Sequence, residues 1–217
     1  MRILTGIPGL DHILHGGLLP GRTYLVHGEA GTGKTTLGLH FLSCDPASGL
    51  LITFSQTAER VRSDAASLSL DLANLTILDF TPSAEAFSEM QIYDIFSPSE
   101  VEREPLSRQI SKVIEEKAPK RIFVDSFGSF RSLATDAFQR RRLAQSFFRF
   151  ATMRGGTLLI ASEETECARD VDGVILLTSG TEGRSVRVTK LRGSDFHAGT
   201  HPMRLSSEGL DIPLSAA

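Results

Sequence analysis

One short run of residues constrains this chain more than any other. Gly28-Glu29-Ala30-Gly31-Thr32-Gly33-Lys34-Thr35 fits the spacing G-x-x-x-x-G-K-[ST]. It follows the apolar run Tyr24–His27 and leads into the helical pattern Thr35–Leu42, so the backbone passes there from a buried strand into a helix N-terminus. Glycines let the loop wrap closely round a polyphosphate and turn successive N–H groups inward. The helix start adds positive potential at the same point. Lys34 is then expected to reach β- and γ-phosphates, and the Thr35 hydroxyl to bind Mg²⁺.

The rest of the pattern supplies a sheet to carry such a loop. Tyr24–His27, Leu50–Phe54, Leu75–Phe80, Ile122–Val124, Leu158–Ala161 and Val174–Leu177 read as buried strands. Their density in Val, Ile, Leu and Phe suits a sheet covered on both faces. Between them, Val61, Ala65 and Leu68 share one helix face, as do Leu106, Ile110, Val113 and Ile114, and Leu143, Phe147, Phe150 and Ala151. This alternation predicts an α/β fold with a mostly parallel, twisted sheet and helices on both faces. Asp125, at the end of Ile122–Val124, is the natural second partner for Mg²⁺, through water. After about residue 171 the pattern changes to turn-separated alternation, with Val186–Thr189, Met203–Ser206 and Leu210–Ile212 read as antiparallel strands on one sheet edge. Thr81–Ser99 is the least regular stretch and reads as a loop without an assigned role. Residues 1–217 are expected to form a single domain.

Composition excludes several classes of function. A net charge of -3 argues against a strongly basic nucleic-acid surface. The one basic run, Arg140-Arg141-Arg142, lies mostly opposite the Leu143-Phe147-Phe150 face and reads as a solvated helix surface. No run approaches the roughly 18 apolar residues of a membrane span, and Met1–Leu4 meets Thr5-Gly6-Ile7-Pro8-Gly9 at once, unlike a secretory signal. Cys44 and Cys167 are far apart, which fits a reduced, cytoplasmic chain without membrane attachment. His12, His15, His27, His40, His197 and His201 show no metal-ligand spacing on one element.

Further motifs bracket the phosphate loop. Thr5-Gly6-Ile7-Pro8-Gly9-Leu10-Asp11 and Gly16-Gly17-Leu18 precede it; Lys190-Leu191-Arg192-Gly193-Ser194, Pro202 and Glu208-Gly209-Leu210 follow. In this combination, from about Thr5 to Ile212, the chain resembles one KaiC domain of the RecA/RadA-like ATPases. The resemblance implies a RecA-like core and a ring, usually a hexamer, with ATP between neighbouring subunits. One subunit would supply Gly28 to Thr36 and Asp125. Its neighbour would supply Lys190, Leu191, Arg192 and Ser194. A Lys and an Arg at i, i+2 on a strand point the same way, so both side chains can approach a γ-phosphate from outside, as an arginine finger does. Ser67 matches a nucleotide-contacting position of the family. Phe196 stands where a His usually follows the K-L-R-G element, with His197 one residue later. The resemblance also implies a signalling or regulatory module with a protein partner that no residue identifies.

The sequence departs from this family just after Leu50–Phe54. Catalytic members carry two glutamates there, in the pattern T-F-E-E-T; this chain reads Thr53-Phe54-Ser55-Gln56-Thr57. Neither a Ser hydroxyl nor a Gln amide is an effective base at neutral pH, and losing a general base costs about 10²–10⁴-fold in rate. The expectation is ATP binding with slow or negligible hydrolysis, in which Gln56 orients a water as a Gln does in some GTPases. One alternative is an active ATPase using another base; Glu163 fits that better than Glu29, because a carboxylate inside the cradle would repel a triphosphate. Another is a RecA/RadA-like DNA-processing ATPase. The short segments after Asp125 and Ala161 and the acidic run Glu163-Glu164-Thr165-Glu166 oppose it, so nucleic acid is not an expected partner. Ala168-Arg169 fall about where the second domain of two-domain members of this family carries a phosphorylated Ser-Thr pair, so the resemblance disfavours autophosphorylation of that kind.

Overall fold

Each central strand of the protein is apolar on both faces, and its alternate side chains enter different cores. In the computed structural model, which describes residues 1–82, 98–131, 134, 136–181 and 183–214 (backbone alone over 98–105), Tyr24 and Val26 of strand β1 (Thr23–His27) join one core while Leu25 joins the other. The same split separates Leu51 from Leu50 and Ile52 on β2 (Gly49–Thr53), Phe123 from Ile122 and Val124 on β4 (Arg121–Asp125), and Leu159 from Leu158 and Ile160 on β5 (Thr157–Ser162). Side chains of period two on a doubly covered sheet require this arrangement.

The described strands form a nine-stranded sheet in the order β3-β2-β4-β5-β1-β6-β7-β8-β9. β3 (Thr76–Asp79), β2, β4, β5, β1 and β6 (Gly173–Gly180) run parallel. β7 (Gly183–Leu191), β8 (His201–Ser206) and β9 (Gly209–Asp211) complete an antiparallel edge. β6 runs past the expected Leu177 to Gly180, because its antiparallel ladder with β7 continues to the Gly180–Gly183 turn.

Helices α1 (Pro8–Ile13), α2 (Lys34–Ser43) and α3 (Ala58–Ser67) cover one face, through Leu10, Ile13, Leu37, Phe41, Val61 and Ala65. Helices α4 (Pro98–Lys117), α5 (Phe127–Arg131) and α6 (Ala137–Met153) cover the other, through Ile110, Ile114, Phe127, Phe130, Phe147 and Phe148. Apolar spacing marked α4 only from Leu106, whereas the helix begins at Pro98; the stretch read as a loop lies largely outside the described residues. The five-residue α5 gave no periodic signal because it is shorter than two turns. Of the basic run, Arg141 pairs with Asp170 at 3.0 Å and Arg142 lies over the Phe138 ring.

Long-range ties lock the termini onto this frame. Asp11 Oδ1 accepts from the Thr5 N–H at 2.8 Å and the Thr5 hydroxyl at 2.9 Å, so the Thr5–Asp11 motif closes its own turn. The buried Arg121 guanidinium donates to Leu4 O at 2.6 Å and Phe41 O at 2.8 Å, joining the N-terminal segment, α2 and β4. His40 Nε2 accepts from the Leu210 N–H at 3.0 Å, which fastens β9 against α2.

Gly38 shows how closely α2 approaches β4. A Cβ there would lie 2.1 Å from a ring carbon of Phe123, which is fully buried. Gly→Ala inside a helix ordinarily gains about 1 kcal/mol. Here overpacking is expected to outweigh that gain, so Gly38→Ala should destabilise by about 1–3 kcal/mol. Thermal denaturation checks the sign, and a raised midpoint would contradict this packing.

Candidate nucleotide site

The phosphate loop leaves the carboxyl end of β1, between β5 and β6, with His27 opposite Ser162 on one side and Leu176 on the other. Gly28 is held between walls: a Cβ would lie 2.5 Å from Leu177 O and 2.7 Å from Thr32 Oγ1. Gly31 and Gly33 take left-handed backbone angles, φ +75° and +106°, that disfavour L side chains. The Thr32 hydroxyl ties the loop by donating to Glu29 O at 2.8 Å. Glu29, Ala30 and Gly31 are exposed, Thr32 is buried, and Lys34, Thr35 and Thr36 open α2 half-buried.

Lys34 Nζ donates to Gly28 O and Glu29 O, both at 2.7 Å, and lies 3.5 Å from Glu163 Oε1. Its ammonium therefore sits at the mouth of the loop. The Thr35 hydroxyl donates to Asp125 Oδ2 at 2.6 Å. Asp125 is only 6 % exposed. Burial pushes its carboxyl above the usual range, while the Thr35 hydroxyl and the Lys34 charge pull it back. A hard divalent cation takes oxygen ligands, and a hydroxyl beside a buried carboxylate at the foot of a phosphate loop is such a donor set. Mg²⁺ fits such a set; Thr35 and Asp125 would hold it, and it would neutralise phosphate charge.

Beside this pair, on the far side of β4, β2 ends at Thr53, opposite Asp125. Ser55 is exposed. Thr53 Oγ1 donates to Gln56 O at 2.8 Å, and the Gln56 amide nitrogen donates to Asp64 Oδ2 of α3 at 3.2 Å. The Gln56 amide oxygen is buried and has no hydrogen-bond partner among the described residues. Asp64 thus occupies the amide nitrogen and leaves the amide oxygen as the acceptor with which Gln56 could orient a water. The carboxylate that does reach the cradle lysine is Glu163, directly after β5 and 61 % exposed.

The structure does not bring Lys190, Leu191, Arg192, Ser194 and Ser67 to this cradle. Lys190 pairs with Val174 at the beginning of β6, the sheet end opposite Gly28. Lys190 Nζ donates to Ala168 O at 2.8 Å and Arg169 O at 3.3 Å, and Arg192 Nη2 donates to Arg169 O at 3.2 Å. The i, i+2 spacing does put both cations on one side, with Leu191 between them buried in the core. Ser194 Oγ accepts from Arg2 at 2.5 Å, and Ser67 Oγ, in the last turn of α3, donates to Asp64 O at 2.7 Å.

Sequence reasoning missed Arg184 and Arg131. Arg184 Nη1, just after the β6–β7 turn, donates to Gly31 O at 2.5 Å and so supports the loop from outside. The signal was an Arg beside a hairpin turn, but its meaning depends on β6 lying next to β1. Arg131 is buried and pairs with Glu164 at 2.8 Å and with Glu166, both of which stay mostly exposed. His12, His15 and His197 gather, with His197 ring centroids 4.7 Å from His12 and 4.5 Å from His15, yet among the described residues no three His, Cys, Asp or Glu side chains form a metal-binding group. Cys167 is buried, which pushes its thiol up to about 11 and makes it a poor nucleophile.

Comparison with known proteins supports this geometry with kinship. The sequence profile of the family described as "ATPase: KaiC" matches residues 3–216. Among similar curated proteins are the circadian clock oscillator proteins KaiC of Synechococcus elongatus, 29% identical over 99% of this chain and 45% of the relative, and of Acaryochloris marina, 30% identical over 99% and 44%. The chain thus spans less than half the length of these relatives. A parallel sheet carrying a phosphate loop, an antiparallel C-terminal edge and a family match over nearly the whole length lead to one assignment: the chain belongs to the KaiC family of ATPases, with their RecA-like fold.

Proposed function

We propose that this KaiC-family domain binds Mg-ATP between copies of itself in a ring, a hexamer by family resemblance, and hydrolyses it slowly or not at all, acting as a nucleotide-controlled signalling or scaffold module. The observation that carries the reading is the contrast at the carboxyl ends of the strands. Lys34, Thr35 and Asp125 stand ready for a Mg-triphosphate, while Ser55 and Gln56 stand where catalytic members have glutamates. Positioning and charge stabilisation survive the loss of a base; proton removal from water does not. The placement of Lys190 and Arg192 away from their own cradle supports a role in trans, because within one chain they cannot serve the loop they would complete. The names of the clock-oscillator relatives support a regulatory role; a protein partner and a cytoplasmic location are part of this proposal. Among the described residues no helix is long and apolar enough to cross a membrane. Glu163, Glu164 and Glu166 stay mostly exposed although Arg131 pairs with two of them, and an exposed acidic segment speaks against nucleic acid.

A second reading, turnover with Glu163 as proton acceptor, is favoured by the 3.5 Å approach of Glu163 to Lys34. Phosphate release separates the two. Ser55→Glu/Gln56→Glu should raise turnover by as much as about 10²–10⁴-fold, and Glu163→Gln should leave the basal rate unchanged. Native turnover equal to that of the double variant, together with its loss in Glu163→Gln, would establish the second reading.

Assembly has its own measurement. Light scattering with and without Mg-ATP should show a nucleotide-dependent rise in mass. Lys190→Ala/Arg192→Ala should abolish the rise while leaving the circular dichroism spectrum of the folded protein intact. Equal mass with and without nucleotide would remove the ring from this proposal.

A further inference from the structure

The segment joining β5 to β6, residues 163–172, crosses from one end of the sheet to the other. β5 and β6 flank β1 and run parallel to it. The segment therefore starts beside the cradle, at Glu163, and finishes beside Lys190, where β6 begins. Along the way it meets the candidate site twice and the Lys190–Arg192 element once.

The first contact is Glu163 with Lys34, 3.5 Å apart. Glu163 is mostly exposed, so the pair is weak and easily displaced. A γ-phosphate competes for the same ammonium and repels the carboxylate. A nucleoside diphosphate, lacking that phosphate, competes less. The second contact is Arg131. Its guanidinium, on a side chain 6 % exposed, is gripped by Glu164 and Glu166. Arg131 ends α5, and α5 starts at Phe127, two residues after Asp125. The metal-side carboxylate and the middle of the segment are thus joined through one short helix. A planar, fixed fork of donors transmits position better than a point charge does.

The third contact is at the far end. Glu166–Arg169 form a single 3-10 turn. Arg131 holds its first residue, and its last residues offer the carbonyls of Ala168 and Arg169 that engage Lys190 and Arg192. Beyond the turn, Asp170 is fixed to α6 by Arg141 at 3.0 Å and Gln145 at 3.0 Å. A displacement at Glu163 or Arg131 therefore reaches the turn that holds the two cations before it meets Asp170, with the buried Cys167 as the turn's fixed point.

We propose that Glu163 and Arg131 are positioning residues that let the nucleotide in a protomer's own cradle set the Lys190–Arg192 element this protomer presents to the next copy. This rests on the ring reading above. With Lys34 paired to Glu163, the turn keeps both cations on its carbonyls; a triphosphate on Lys34 displaces Glu163 and loosens that hold. Each site in a ring then reports its occupancy to one neighbour, which a module without a fast catalytic step can use as its output.

The test is a double-mutant cycle between Glu163 and Lys190, whose side chains touch different ends of the segment. With assembly of the native protein checked first by light scattering, Glu163→Ala, Lys190→Ala and the double variant are titrated with Mg-ATP by equilibrium dialysis below the concentration for assembly, so that no neighbour's Lys190 meets the same nucleotide. The binding effects should depart from additivity by more than about twofold, the limit for independent distant sites. Additivity within about twofold, in a native protein that does assemble, overturns the inference and leaves the ring reading intact. A native protein that fails to assemble sinks both, and that arm is read first. Hydrogen exchange on the native protein, diluted below the concentration at which it assembles, gives a readout without a neighbour and keeps the Lys190 and Arg192 contacts in place. Mg-ATP should speed exchange over 163–169 relative to Mg-ADP; equal exchange also overturns the inference. Arg131→Lys, which keeps the buried charge but not the fork, should abolish the ATP–ADP difference, and a difference of native size overturns the role of Arg131.

Discussion

The Thr35–Asp125 hydrogen bond is the contact round which this molecule is organised. It joins the first turn of α2 to the last residue of β4, 90 positions apart in sequence, and it is made by a carboxylate almost withdrawn from water. A buried charge of that kind is tolerated only where partners stabilise it. Thr35 and the nearby Lys34 do so here, and a divalent cation would do so more strongly. Everything that fixes the two elements relative to each other bears on this point: Gly38 against Phe123, Arg121 bridging β4 to α2, and the loop glycines that start α2 where it starts.

The cradle and the Lys190–Arg192 pair lie at opposite ends of one sheet. Parallel strands put their carboxyl ends, and so the cradle, on one side. The antiparallel β7 runs the other way and delivers Lys190 and Arg192 to the other side. A chain with this topology does not bring those two cations to its own cradle, which is why the proposed role for them is in trans. The same separation gives the crossover from β5 to β6 its interest, since that segment spans the same distance within one chain.

Much of this was legible before any coordinates. Continuous apolar runs marked the core strands to within a residue or so at most ends, because burial on both faces leaves few positions for polar side chains. The loop glycines, the Thr35 hydroxyl and the terminal Asp125 were readable because their chemistry depends on local backbone form or strand ends. What α5 does was not readable: five residues carry no periodicity, and its Arg131 meets acids 33 and 35 positions away. Nor was the engagement of Gln56 with Asp64, because it depends on where α3 lies against the end of β2.

The sequence alone determined the phosphate loop, the doubly covered parallel sheet, the antiparallel edge and the absence of glutamates after β2. Each follows from rules that act over a few neighbouring residues: sterics at glycine, alternation along a strand, the charge or neutrality of a side chain. Only the tertiary structure decided that Glu163 meets Lys34, that Arg184 supports Gly31 and that Lys190 and Arg192 rest on Ala168 and Arg169. Those contacts depend on strand order and on the path of a crossover, which are set by how two whole cores pack and leave no mark in any short stretch of sequence.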